Sequence, residues 1–185
     1  MIPNHGYDYT HRAKKQNNAD IVSSVCAYLS AATLYFSPMI VKGIRYAPVL
    51  QFFALIAVVI GVFINQRYTW TSFVYGIIPK DADSGELYLV IYRVQGKRQS
   101  CLVKVDMSGL REIIQCTAKD DGKSKTSKYP SAQRYNYCVS MAPATYIRAV
   151  FDADGGIAVI AFEPDKTLLN MMENVYNYKK TEADT

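Results

Sequence analysis

The sequence predicts a two-helix transmembrane hairpin followed by a mainly β, antiparallel barrel or sandwich closed by a C-terminal α-helix. Residues 21–64 hold two uncharged apolar stretches split by a basic break, Lys42-Gly43-Ile44-Arg45. Beyond Arg67 the apolar pattern changes to short segments rich in β-branched and aromatic residues. Near the end, Leu168, Leu169, Met172, Val175 and Tyr176 follow helical spacing. The 185 residues suffice for one domain of about 100–150 residues plus an anchor. The expected boundaries are a polar tail over 1–20, the hairpin over 21–66, the β domain with its helix over 67–178, and a polar tail over 179–185.

Residues 21–41 and 46–64 contain no Asp, Glu, Lys, Arg or His. At about 1.5 Å per residue each can cross a hydrocarbon core of about 30 Å. A signal peptide would have a shorter apolar run, and no second run would follow it. Two buried helices that are apolar all round would need a large partner surface, which the rest of the chain does not offer. Pro38 and serines 23, 24, 30 and 37 dilute the first span, whereas residues 52–60 are uniformly apolar. Arg12, Lys14, Lys15 and Arg67 flank the spans, against Lys42 and Arg45 in the loop. That bias predicts an integral cell-membrane protein with both termini cytoplasmic. Tyr46, Tyr68 and Trp70 suit the headgroup level. Ala27, Ser30, Ala31, Ala32 and Thr33 let the first span pack closely on the second.

In the β domain, residues 69–78 read as a strand ended by Pro79 and the polar run 80–85. Residues 86–94 and 101–105 read as a hairpin, with Gly96 supplying the turn. Residues 110–116 read as a short strand or a turn of helix. Residues 135–141 and 145–151 read as strands around Ala142-Pro143-Ala144, and 157–162 as the last strand after the turn at 152–156. Six or seven short strands at regular spacing suggest the barrel or sandwich. Pro164 suits a first helical turn, and Asp165 the positive end of the helix dipole. The polar start shows no strand pattern.

A strand meander closed by one helix is the outline of a pleckstrin-homology-like (PH-like) domain. The order of parts resembles bacterial membrane-anchored PH-like proteins, including the YcxB-like group. Carrying the resemblance are Val90-Ile91-Tyr92-Arg93-Val94-Gln95-Gly96-Lys97-Arg98, then the step Asp106-Met107-Ser108-Gly109-Leu110, and Phe162-Glu163-Pro164-Asp165 before the closing helix. It covers roughly residues 20–176. It implies a PH-like fold and brings no catalytic residues with it.

Composition narrows the chemistry. Of 21 Lys and Arg and 16 Asp and Glu, six and two precede Tyr68, leaving 15 against 14 beyond it. A nearly neutral domain argues against a nucleic-acid partner held by phosphate neutralisation. Both histidines, His5 and His11, lie in the N-terminal tail, so Cys101, Cys116 and Cys138 have no histidine base in their own domain. No zinc spacing exists, and the cysteine pattern favours reduced thiols packed as small hydrophobes. Asp152-Ala153-Asp154-Gly155 lacks the rest of a calcium loop and reads as a hairpin turn. No catalytic residue, cofactor site or metal site is expected. The functional candidate is the basic segment 117–134, with Lys119, Lys123, Lys125, Lys128 and Arg134, joined by Lys97 and Arg98 if the loops share a rim. A solvated loop is the plain reading, and contact with anionic lipid headgroups the functional one. The function expected is a membrane-anchored binding or scaffold module facing the cytoplasm, its partners the bilayer, anionic headgroups or a protein. The alternative is an accessory subunit of a transporter-type complex, recognised through its hairpin. An enzyme would need acid–base pairs assembled across strands.

Overall fold

A computed structural model describes residues 8–40, 46–80, 86–119, 128–153 and 155–183. The chain forms two compact units. One is the membrane-type hairpin, residues 17–71, and the other joins residues 1–16 to residues 72–185.

The larger unit is built on two four-stranded sheets. The first has the order β1 (Tyr9–Arg12), β2 (Ser72–Pro79), β3 (Leu87–Gln95), β4 (Arg98–Asp106), all antiparallel. Phe73, Tyr75 and Ile77 form a buried row along β2, and Leu87, Leu89 and Ile91 a buried row along β3, with Tyr75 opposite Ile91 and Ile77 opposite Leu89. Gly96 turns β3 into β4 at φ +59°, in the left-handed region that favours glycine. A bulge where Ile91 pairs Val103 and Tyr92 pairs Cys101 leaves Leu102 outside the ladder. A 3₁₀ turn, Met107–Gly109, then leads out of the first sheet.

The second sheet has the order β5 (Leu110–Thr117), β7 (Thr145–Ala153), β8 (Gly156–Phe162), β6 (Gln133–Asn136). Only the β6–β8 pair is parallel. The inward faces of both sheets share one core, in which Tyr75, Leu89, Phe151, Ile160 and Phe162 are almost wholly buried. The helix α3 (Lys166–Ala183) adds Leu168, Met172 and Val175 to that core. Among the described residues the sheets stay separate and no closed barrel forms. Their corner is the 3₁₀ turn, and past it β5 pairs with β7 rather than β4.

Three sequence expectations need correction. β1 lies in the segment read as a polar tail. Its four residues carry no periodic signal, and the strand exists through long-range pairing with β2. A Cβ on Gly76 would stand 2.6 Å from the Tyr9 carbonyl oxygen, so only glycine admits β1 at this spacing. Next, β6 ends at Asn136, not at 141. The Asn136 side chain accepts the Cys138 N–H at 2.9 Å, and that local bond takes the backbone out of the ladder. Finally, Pro164 precedes α3. Asp165 is the cap, its Oδ1 accepting the Leu168 N–H at 2.9 Å.

The hairpin unit comprises α1 (Ala19–Ile40) and α2 (Ala47–Ile64), the latter running on through a π-helical turn at Asn65–Thr69. Both helices are long and apolar enough to cross a membrane. Only 17% of either apolar window is buried, whereas the core helix of a soluble protein would be mostly covered. Pro38 lacks the N–H that the Leu34 carbonyl would accept, and Ser37 Oγ donates to that carbonyl instead, at 3.1 Å. Thr33 and Ser24 bond back to the Leu29 and Ile21 carbonyls in the same way. Tyr28 packs over Gly61, where a Cβ would come 2.8 Å from the ring, and its hydroxyl accepts from Asn65 Nδ2 at 3.0 Å.

Candidate functional site

The basic residues singled out from sequence are distributed over both sheets. Lys97 and Arg98 sit at the β3–β4 turn of the first sheet. Lys119, Lys128 and Arg134 belong to the second-sheet side, Lys119 exposed just past β5 and Arg134 exposed on β6. Lys123 and Lys125 lie outside the described residues.

Lys128 is engaged by its own fold. Its Nζ donates to Glu112 of β5 at 2.9 Å and reaches the other carboxylate oxygen at 2.8 Å, while lying 5.6 Å from the Tyr129 ring centroid. Tyr129 donates to the same carboxylate at 3.1 Å. The hydrogen bond from Lys128 to Glu112 is the main reason that its ammonium holds its proton more tightly than usual. Burial, then the Glu112 bond, pushes the Tyr129 phenol up. Tyr129 and Ala132 also pack on Ile114, Cys116, Val150 and Val159, a second apolar cluster separate from the main core. One end of the basic segment is therefore structural.

Beside that cluster the second sheet forms a concave site. Register places Val150, Val159 and Arg134 in one row across β7, β8 and β6, and Arg148, Ala161 and Asn136 in the next row. Side chains opposite each other, or two residues apart on one strand, share a sheet face. Arg134, Asn136, Tyr146 and Arg148 therefore project on the face opposite Ile147, Ala149 and Ile160 of the main core. They open on a cavity of about 230 Å³ that Cys138 and Pro143 also line. Arg148 Nη2 donates to the Tyr146 hydroxyl at 3.1 Å and its guanidinium lies 5.6 Å from that ring. Burial is the largest influence raising the Tyr146 pKa, so the phenol keeps its proton at neutral pH.

Arg148 and Tyr146 were not singled out by sequence reasoning. The available signal was the period-two alternation Tyr146, Ile147, Arg148, Ala149, which puts the polar pair on the face away from the core. The cysteines divide: Cys116 and Cys138 are buried as expected, while Cys101 is exposed on β4, an outer strand of its sheet. Among the described residues no group of three or more His, Cys, Asp or Glu side chains converges to hold a metal ion. Comparison of the chain with protein-family models, curated proteins and solved structures found no match.

Proposed function

We propose that this chain is a membrane-anchored, PH-like binding module, held by a two-span hairpin and presented to the cytoplasm, with no catalytic role of its own. One observation carries the anchoring. The chain leaves the first sheet at Ala13, whose N–H donates to the Phe73 carbonyl at 3.0 Å, and re-enters it at Ser72. Exit and return are neighbours on one sheet, so whatever lies between must start and finish on the domain's side. A membrane insertion at this point needs an even number of spans, and α1 and α2 supply two. The helix-closed pair of sheets supports the PH-like reading, and the basic flanks support the cytoplasmic orientation. Lys119, Lys123 and Lys125 supply the contact with anionic headgroups, each worth about 1 kcal/mol near such a surface.

Labelling with a membrane-impermeant maleimide tests the topology. Native Cys101 is expected to react only after the cells are opened, and Ile44→Cys in the loop to react on intact cells. The reverse pattern would overturn the orientation. For the headgroup contact, replacing Lys119, Lys123 and Lys125 with Glu is expected to abolish the preference for phosphatidylserine vesicles. An unchanged preference would reject it.

A second reading, an accessory subunit recognised through the hairpin, is favoured by one feature. The hairpin carries an apolar cavity of about 530 Å³ lined by Tyr28, Ala31, Ala32, Gln51 and Ala54 among others. Small residues and one amide are what close helix association in lipid uses. Exchange of the spans for an unrelated hairpin separates the two readings, since only the accessory role would be lost.

A further inference from the structure

We propose that the membrane hairpin pairs with the hairpin of a second copy of this chain, the two Gln51 amides bonding each other across the contact. The inference rests on the two-span anchoring and goes beyond it by naming what the hairpin meets in the bilayer.

Gln51 is the only polar side chain of α2. It is exposed, and among the described residues nothing bonds its amide. It lies five residues past Tyr46, about 7–8 Å along the helix axis, so hydrocarbon surrounds it rather than headgroups. Acyl chains offer an amide no hydrogen bond, and leaving it without one there costs free energy. Other polar groups of the hairpin are satisfied internally. Ser24, Thr33 and Ser37 each donate to a carbonyl of their own helix, and Asn65 donates to Tyr28. Gln51 is left to a partner.

That amide lines the apolar groove of about 530 Å³ between the two helices. Positions 51, 54, 55 and 58 recur at i, i+3, i+4 and i+7 on α2, and 28, 31, 32 and 35 do the same on α1. One face of each helix therefore makes one wall. Ala31 and Ala54, both buried, form the floor, and Leu55, 61% exposed, stands at the rim. Small residues below and a bare amide beside them let another helix come close and bond.

The second copy is the occupant that answers the amide. Chains inserted with one orientation are related by a two-fold axis along the membrane normal, which holds equal residues at equal depth. Gln51 then meets the partner's Gln51. A primary amide carries donors and an acceptor, so two of them bond reciprocally. A lipid chain has no such group, and the helix of an unrelated protein would need one at this depth. The accessory reading gives the groove to a foreign helix, whereas the self-complementary amide favours the chain's own copy.

Energy transfer tests this on the full chain, labelled at its amino terminus with donor or acceptor and mixed in phosphatidylcholine vesicles. Transfer is expected to rise to saturation with protein density and to fall when unlabelled chain is added. Gln51→Leu is expected to weaken the association about tenfold, and Gln51→Asn, which keeps the amide, to retain most of it. Ile60→Ala, on the opposite face of α2, is expected to leave it unchanged. Leucine is more apolar than glutamine, so Gln51→Leu leaves insertion intact and its effect does not come from misfolding. Association equal in Gln51→Leu and the native chain, or lowered as much by Ile60→Ala, would overturn the proposal. So would a chain that stays monomeric at every density, or whose groove holds a lipid or another protein's helix on purification. The maleimide pattern is read from single chains, so failure here leaves the anchoring and orientation standing.

Discussion

Among the described residues of the larger unit, Glu163 is the buried carboxylate. It is only 5% exposed, and its carboxylate accepts the Ser140 N–H at 2.7 Å and the Ser140 hydroxyl at 2.9 Å. Ser140 Oγ in turn accepts the Gln16 N–H at 2.9 Å, and the Gln16 amide bonds both the N–H and the carbonyl of Thr145. Burial lifts the Glu163 carboxyl above its ordinary range, and the bonds from Ser140 pull it back only in part. The folded chain therefore holds this proton to higher pH than the unfolded chain. The effect is absent below the ordinary glutamate value of about 4.3, and stability falls as pH rises from there through the raised value. Glu163→Gln, which cannot ionise, is expected to flatten that fall in thermal melts recorded across the same pH range. An unchanged slope would assign the pH dependence to other groups. Ser140→Ala keeps the backbone donor but removes the hydroxyl donor to Glu163 and the acceptor for Gln16, and is expected to cost about 1–3 kcal/mol in denaturant unfolding.

At the scale of elements, β1 depends on a single absent side chain. A Cβ on Gly76 would also stand 2.7 Å from Thr10 Cγ2, so backbone and side chain are both met. Gly76→Val is expected to displace β1, expose residues 8–16 to protease, and cost about 1–3 kcal/mol through overpacking. Resistance equal to that of the native chain would refute the close approach as the reason for glycine. β1 is also tied to α3, since the Tyr9 hydroxyl donates to Asp165, the residue that caps the helix. Asp165→Ala is expected to lose both bonds and to cost more than the roughly 1 kcal/mol of a cap alone. Pairing it with Tyr9→Phe in a double-mutant cycle measures the excess. The strands β2, β3, β7 and β8 were legible because each carries a buried row at alternate positions, whereas the β5 segment reads equally as a strand or a turn of helix. β1 and the early end of β6 were not legible, because a partner strand and a local asparagine bond decided them.

For the whole molecule, the main consequence is that the apolar hairpin interrupts one sheet between neighbouring strands. Residues 72–185 alone lack β1 and the Ala13 and Gln16 attachments. They are expected to aggregate or to melt well below the intact domain, since β2 would become a bare edge. Joining residues 8–16 to 72–185 through a short glycine-serine linker is expected to restore a soluble, monodisperse domain, checked by size exclusion and circular dichroism. Equal behaviour of the two chains would mean that β1 is dispensable.

The sequence by itself determined two apolar spans, a strand-rich remainder and an amphipathic closing helix, because each is written as local periodicity of apolar residues. It also marked Arg134 as part of a basic stretch. Only the tertiary structure decided that the N-terminal segment supplies a strand, that among the described residues the sheets do not close into a barrel, and that Arg148 and Tyr146 share a cavity with Arg134. Those outcomes depend on pairing between residues distant in the chain, as when β7 and β6 are set on either side of β8. The energy that fixes such pairings lies in registers and close approaches, which no local pattern encodes.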